Sequence, residues 1–84
     1  MPVLIICHVI MPEMNGFEFV RIIKKQELTR HIPIIMLSTK ASVESQIEGL
    51  ETGADAYLGK PFHPRHLEAL IDSQLQRNKA VLEF

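Results

Sequence analysis

Three short runs of consecutive apolar residues constrain the fold of this chain more than any other feature. The runs "VLIICHVI", "IPIIML" and "AYLG" alternate with three longer segments of helical character. Such alternation is typical of βα units that build a parallel sheet. Because the runs are apolar on consecutive rather than alternate residues, the strands should be covered by helices on both faces. The sequence therefore predicts an α/β domain with three parallel strands and three helices.

The helical segments carry clear start and stop signals. The first helix should begin near Gly16, and the second should have Ser42 as its N-cap and stop near Gly53. The third should begin at Pro64, because proline is favoured at the first position of a helix. These signals divide the chain into βα units without an internal repeat or a linker.

Each predicted helix has an apolar stripe that we assign to the core or to an interface. In the first helix the apolar residues between Phe17 and Ile23 spread over an arc of about 220°, which is wider than one sheet contact requires. Part of that arc is expected to meet another surface. The remaining stripes are Val43, Ile47 and Leu50 in the second helix, and Leu67, Leu70, Ile71, Leu75, Val81 and Leu82 in the third.

Composition excludes several classes of function. With 84 residues the chain has room for one domain, and a monomer of this size buries only about 60 to 65% of its unfolded surface. Nine basic residues are scattered among ten acidic ones, so there is no electrostatic footprint for nucleic acid. No apolar run is long enough to cross a bilayer, and the single cysteine, Cys7, is expected to be a buried thiol. We therefore expect a cytoplasmic protein that binds neither nucleic acid nor membranes.

Four short motifs give the chain a resemblance to a known family. "MPEMNGFEF" after an apolar strand, "IPIIMLSTKA", "GADAYLGKPF" and "HLEAL" follow one another at separations that resemble the receiver domain of bacterial response regulators, especially the receivers of hybrid sensor kinases. The resemblance covers almost the whole chain. It implies a flavodoxin-like doubly wound sheet of strand order 2-1-3-4-5, with the chemistry at the carboxyl ends of the strands. It also implies a signalling module rather than an enzyme.

The resemblance further implies that part of the receiver fold is missing. Residues 1–9 correspond to the third strand of the family, so the first two βα units have no counterpart and residues 1–84 are expected to form one truncated receiver-like domain. Because strand one lies beside strand three in the family, its absence should leave the first strand of this chain as an apolar edge, ready to pair with another chain. We therefore predict a dimer in which two copies associate through the first strand and first helix, or exchange elements.

The phosphoacceptor position of the family holds a histidine in this chain. In active receivers, an aspartate at the end of the third strand accepts a phosphoryl group, and Mg²⁺ is held by that aspartate and by an acidic pair after strand one. Here the matching position is His8, and the acidic pair has no counterpart. Imidazole is a poor ligand for Mg²⁺, so we expect neither aspartyl phosphotransfer nor bound magnesium. His8 is expected to be a neutral side chain that fills the old pocket, hydrogen-bonded to Ser38 or Lys60.

Four other positions match the family's switch and phosphate-contact residues. Ser38 resembles the hydroxyl residue that senses the phosphoryl group, Lys60 the lysine that contacts it, and Tyr57 the aromatic switch residue. The bond between Lys60 and Pro61 is usually cis in the family, a geometry that is accessible at low energy only before proline.

A histidine metal site is a weaker hypothesis. His63, a poor N-cap for the third helix, and His66 should lie near His8 at the same end of the sheet, and imidazole suits zinc or nickel. Since no carboxylate or cysteine pairing supports such a site, the sequence predicts no metal.

The leading hypothesis is a degenerate receiver-like domain that acts through protein–protein interaction. The face formed by the last two helices and Tyr57 is where phosphorylated receivers usually meet partners, and a histidine kinase or hybrid sensor is the candidate partner. Two alternatives remain open at this point: a phosphohistidine relay through His8, and a decayed gene fragment without a function of its own.

Overall fold

A computed structural model describes residues 4–10, 13–39, 42–75 and 81–83. The elements in chain order are β1 (Leu4–His8), α1 (Gly16–Lys25), β2 (Ile34–Ser38), α2 (Val43–Glu51), β3 (Ala56–Gly59), α3 (Pro64–Gln74) and β4 (Val81–Glu83). The strands form a parallel sheet in the order β3-β2-β1-β4. The predicted α/β arrangement of three parallel strands and three helices is confirmed, and β4 is added to it.

The added strand corrects two expectations from the sequence. Val81 and Leu82 were placed on the stripe of the third helix, but that helix ends at Gln74 and Val81–Glu83 pairs in parallel with Leu4–Ile6. For the same reason β1 is not an open edge, since these residues have strand partners on both sides. The backbone N–H and C=O groups on the outer side of β1 need hydrogen-bond partners. An apolar periodicity read over a few residues near position 81 contains no information about this need, because β1 lies far away along the chain. Residues 76–80, which join α3 to β4, lie outside the described residues.

The sheet is covered on both faces, as the consecutive apolar runs predict. In β1, Ile5 and Cys7 face one side of the sheet while Leu4 and Ile6 face the other, because successive side chains of a strand alternate. The α1 side contains Ile5, Cys7, Val9, Phe17, Val20, Ile32, Ile34, Met36 and Ala54. The α3 side contains Leu4, Ile6, Ile35, Leu37, Leu58 and Leu75.

The helix boundaries follow the signals in the sequence. α1 begins at Gly16, Ser42 is the N-cap of α2, and Pro64 is the first residue of α3. α2 ends at Glu51, and two residues later Gly53 has a φ of 107°, in the region that favours glycine.

The apolar stripe of α2 does not enter the core. Val43, Ile47 and Leu50 are 69%, 50% and 49% exposed, so the core assignment is wrong for these three residues. The buried residue of α2 is Gly49, and a Cβ added there would collide with the ring of Tyr57. Because α2 approaches β3 through this glycine, the stripe is turned outward.

A lysine clamp closes the end of the sheet at which the strands begin. The Lys24 ammonium donates hydrogen bonds to the Ile32 carbonyl at 2.8 Å and to Oδ2 of Asp55 at 3.0 Å. The same carboxylate oxygen accepts from the Ile34 N–H at 2.8 Å. These bonds tie the end of α1 to the starts of β2 and β3.

Candidate functional site

The candidate site lies at the opposite edge, where the parallel strands end. His8 is the last residue of β1, Ser38 is the last residue of β2, and Lys60 directly follows β3. All three line one cavity of about 140 Å³, whose other lining residues are Ile10, Leu37 and Thr39. Three of the five receiver-like positions singled out in the sequence are therefore brought together.

The central contact of the cavity joins His8 and Lys60. Nζ of Lys60 lies 3.1 Å from Nδ1 of His8, across 52 residues of sequence. A lysine ammonium can only donate hydrogen bonds, so Nδ1 accepts in this arrangement and the neutral ring carries its proton on Nε2. The contact confirms Lys60 as a hydrogen-bond partner of His8, one of the two partners that the sequence suggests.

The β2–β3 ladder positions the lysine. The N–H of Lys60 donates to the Ser38 carbonyl at 2.6 Å, which extends the pairing of the two strands by one residue. The peptide bond between Lys60 and Pro61 is cis, as the resemblance implies. The hydrogen bond to Ser38 holds Lys60 beside the end of β2, from where its side chain reaches His8.

A tight return of the chain places the start of α1 against the end of β1. The Gly16 N–H donates to the Val9 carbonyl at 2.7 Å, and a Cβ at Gly16 would collide with the carbonyl oxygen of His8. The side chain of Asn15 accepts from the Phe17 N–H at 2.7 Å and caps the helix. The sequence identified Gly16 only as a helix start; the close approach depends on the fold and has no local signal.

Thr39 and Ile10 are lining residues that the sequence reasoning missed. Thr39 directly follows β2, and Ile10 lies two residues beyond β1. Their positions after the ends of buried strands could have suggested them, because carboxyl ends of parallel strands meet at one edge.

Tyr57 and Pro61 are not among the residues that line the cavity. Tyr57 is half-buried on the α1 side of the sheet and packs beside Gly49 of α2. The structure therefore places it under the buried face of α2, on the side of the helix that faces the sheet.

Cys7 is a core residue. Its side chain is buried, and burial raises the pKa of the thiol to about 11. A protonated, inaccessible thiol has little nucleophilic character, which agrees with its interpretation as a small hydrophobe.

The structure does not assemble the three histidines into a metal site. Nδ1 of His63 accepts the Arg65 N–H at 3.1 Å and so caps α3, while Nδ1 of His8 is bonded to Lys60. Among the described residues, no group of three or more histidine, cysteine or carboxylate side chains could hold a metal ion. In the same part of the chain, no helix has the length and apolarity needed to cross a bilayer.

The fold and the site together define a class of protein. A parallel sheet with helices on both faces, and polar side chains gathered where its strands end, is a flavodoxin-like α/β module. The family model of the response regulator receiver domain matches residues 2–72. The chain belongs to this family, whose members work in two-component signalling.

Curated relatives support the assignment. The chain is 46% identical over 76 residues to the phosphate regulon transcriptional regulatory protein PhoB of Pseudomonas aeruginosa, a match that covers 90% of this chain and 33% of that protein. It is 43% identical over 76 residues to histidine kinase P4 of Formosa agariphila, covering 90% of this chain and 6% of the kinase. The chain thus spans about a third of the length of the PhoB relatives it matches.

Solved structures show the same fold. The chemotaxis protein CheY4 of Vibrio cholerae is 41% identical with a TM-score of 0.76, and the match covers 87% of this chain and 61% of CheY4. The receiver domain of the Francisella response regulator 1452 is 35% identical with a TM-score of 0.81, over 92% of this chain and 62% of that one.

Proposed function

We propose that this chain is a degenerate receiver-like domain that acts through protein–protein contact and is not phosphorylated. The observation that carries the proposal is the hydrogen bond between His8 and Lys60. His8 occupies the position of the family's acceptor aspartate, and the lysine that would contact a phosphoryl group is bonded to the imidazole instead.

The chemistry of the cavity argues against magnesium-dependent phosphotransfer. None of the lining residues that the structure describes carries a carboxylate. Mg²⁺ requires oxygen ligands in octahedral geometry and is usually bound through one or two carboxylates. In this proposal Ser38, Lys60 and Tyr57 keep the family's positions without its phosphorylation cycle, and the chain is not an enzyme.

The exposed stripe of α2 is the contact surface of the proposal. Three apolar side chains in successive turns, Val43, Ile47 and Leu50, are each about half-exposed or more, and Tyr57 lies beside the same helix. Apolar side chains that form such a continuous exposed patch mark an interaction site more often than scattered ones do. A histidine kinase or hybrid sensor is the partner we propose, in the cytoplasm, with the chain as a receiver of the hybrid type.

Self-association is the second contact in the proposal. Because β4 covers Leu4–Ile6, pairing of two β1 strands would require β4 to leave or to be exchanged between copies. Ile22 of α1 is 44% exposed and extends the surface that such a dimer would bury. Light scattering on a sizing column should give the mass of a dimer, and a monomer that melts cooperatively would contradict this part.

The phosphorylation status can be tested with a small phosphodonor. The purified chain is incubated with phosphoramidate and Mg²⁺ and its intact mass is measured, with a PhoB receiver domain as the positive control. We expect the control to gain a phosphoryl group and this chain to gain none. An acid-labile adduct that disappears in His8→Gln would refute the proposal and establish phosphotransfer to His8.

A further inference from the structure

Asn15 and Gly16 form a dipeptide with a chemistry of its own, separate from the cavity. An asparagine that precedes glycine cyclises readily, because glycine has no side chain to hinder attack by its backbone nitrogen. We propose that Asn15 is a site of spontaneous deamidation and that the fold controls the reaction. The closed turn between β1 and α1 blocks ring closure, and opening of this turn permits it. The modification requires water and no enzyme, metal or partner.

Deamidation is a ring closure followed by hydrolysis. The backbone nitrogen of Gly16 loses its proton to water or hydroxide and attacks Cγ of Asn15; the new N–C bond forms and the side-chain amide leaves as ammonia. Water then opens the five-membered succinimide. Cleavage of the new bond gives aspartate, and cleavage of the original backbone bond gives isoaspartate. The net change is one amide and one water converted to one carboxylic acid and one ammonia.

The backbone conformation of Asn15 opposes ring closure. Its ψ is 132°, in the extended region. A planar ring requires the Gly16 nitrogen to eclipse Cβ of Asn15, which for an L-residue corresponds to a ψ of about −120°, outside the main allowed regions. The Cα–C bond would therefore have to rotate from 132° through 180°, by roughly 110° in all, before the two atoms could bond.

Hydrogen bonds hold the reacting groups in place. The Gly16 N–H, which has to lose its proton, donates to the Val9 carbonyl at 2.7 Å. The side-chain oxygen of Asn15 accepts from the Phe17 N–H at 2.7 Å, and its main-chain carbonyl accepts from the Phe19 N–H at 3.1 Å. Rotation about the Cα–C bond cannot preserve all three bonds, so ring closure requires the turn to open.

Core packing opposes opening of the turn. Asn15 forms an antiparallel bridge with Ile10, and a Cβ at Gly16 would lie 2.7 Å from Cα of Val9. Val9 and Phe17, which supply two of the hydrogen-bonding groups, are 2% and 4% exposed. The turn therefore opens only when buried apolar side chains lose their packing, and such local openings have a free energy cost.

The two products differ in their effect on the fold. Aspartate keeps a side-chain oxygen for the Phe17 N–H, since Asp and Asn are about equal as N-caps, and its charge is favourable at a helix N-terminus. Isoaspartate lengthens the main chain by one atom and misaligns the Gly16 N–H with the Val9 carbonyl. Opening of the turn thus leaves a permanent chemical change at residue 15.

The test compares the deamidation rate of the complete chain in a mildly alkaline buffer with and without enough urea to unfold it. Peptide mapping by mass spectrometry measures conversion at Asn15, circular dichroism follows folding, and a synthetic peptide of residues 13–17 gives the rate without a fold. We expect the unfolded chain to match the peptide within about twofold and the chain in buffer alone to react at least about tenfold more slowly, which corresponds to an opening free energy of about 1.4 kcal/mol. Equal rates with and without urea would overturn the inference.

Asn78 is the internal control. It is the other asparagine of the chain and precedes Lys79, whose side chain hinders the attacking nitrogen. In urea it should react at least about tenfold more slowly than Asn15. Asn15→Gln is the matched variant, because its longer side chain would need a six-membered ring, and in urea it should show no conversion at residue 15 on the same timescale. Conversion of Asn78 or of the variant as fast as that of Asn15 would overturn the assignment of the site.

Discussion

The two ends of the sheet each contain a lysine that reaches across neighbouring elements, but with different partners. At the end where the strands begin, here called the starting end, Lys24 donates hydrogen bonds to the carboxylate of Asp55 and to the carbonyls of Ile32 and Arg30. At the end where the strands stop, here called the finishing end, Lys60 is hydrogen-bonded to the imidazole of His8 beside a cavity. A lysine bonded to several acceptors ties neighbouring elements together more firmly than a lysine bonded to one ring nitrogen does. The same type of side chain thus meets three acceptors at one end and the imidazole of His8 at the other.

The largest effect should come from the glycine that packs against the finishing end. In Gly16→Ala the new Cβ would lie 2.7 Å from Cα of Val9 and still closer to the backbone oxygen of His8. Neither backbone can move without disturbing the end of β1, so we expect a loss of about 3 kcal/mol or more in the free energy of unfolding. Urea denaturation measures this loss.

Gly53→Ala is the matched substitution at the starting end. Gly53 has a φ of 107°, but the three atoms nearest to the new Cβ all belong to the flexible side chain of Lys24, with Cγ the nearest at 3.0 Å. We expect a smaller loss of about 1–2 kcal/mol, mainly from the backbone conformation. Equal losses in the two variants would mean that the close approach at Gly16 does not constrain the fold.

The second prediction concerns the lysine of the starting end. Lys24→Ala removes hydrogen bonds to two carbonyls and the ion pair with Asp55, whose side chain is 36% exposed against 16% for that of Lys24. Hydrogen bonds of charged groups contribute roughly 1.5 to 3 kcal/mol, and partial exposure reduces the ion-pair part. We expect a loss of about 1–2 kcal/mol, measured by urea denaturation. Lys24→Met keeps the aliphatic packing, and a loss confined to Lys24→Ala would show that packing, not bonding, is responsible.

Much of this fold could be predicted from the sequence because its signals are local. The three apolar runs gave the strands, and Ser42 and Pro64 marked helix starts. The misses depend on contacts between distant residues: Gly49 brings α2 close to Tyr57 and turns its stripe outward, and the strand at residues 81–83 depends on pairing with the distant strand β1. The candidate site shows the same division between features with a local sequence signal and features that depend on long-range contacts.

Family resemblance located His8, Ser38 and Lys60, and the structure was needed to show which of them bond. His8 and Lys60 are 52 residues apart in the sequence, so no local sequence pattern predicts their contact. By contrast, the N-cap bonds of Asn15 and Ser42 join residues two or three positions apart, and these follow from residue type and spacing.

The smallest effect on stability is expected from the lysine of the finishing end. Lys60→Ala removes one hydrogen bond to a neutral ring at a partly exposed position, and water in the cavity can replace the lost partner of His8. We therefore expect the free energy of unfolding to change by less than about 0.5 kcal/mol, against the larger loss in Lys24→Ala. Urea denaturation of the two variants in one buffer gives the comparison directly. A loss as large as that of Lys24→Ala would show that Lys60 also supports the fold, and the contrast between the two ends would then disappear. A negligible loss would show that Lys60, unlike Lys24, adds little to the stability of the fold.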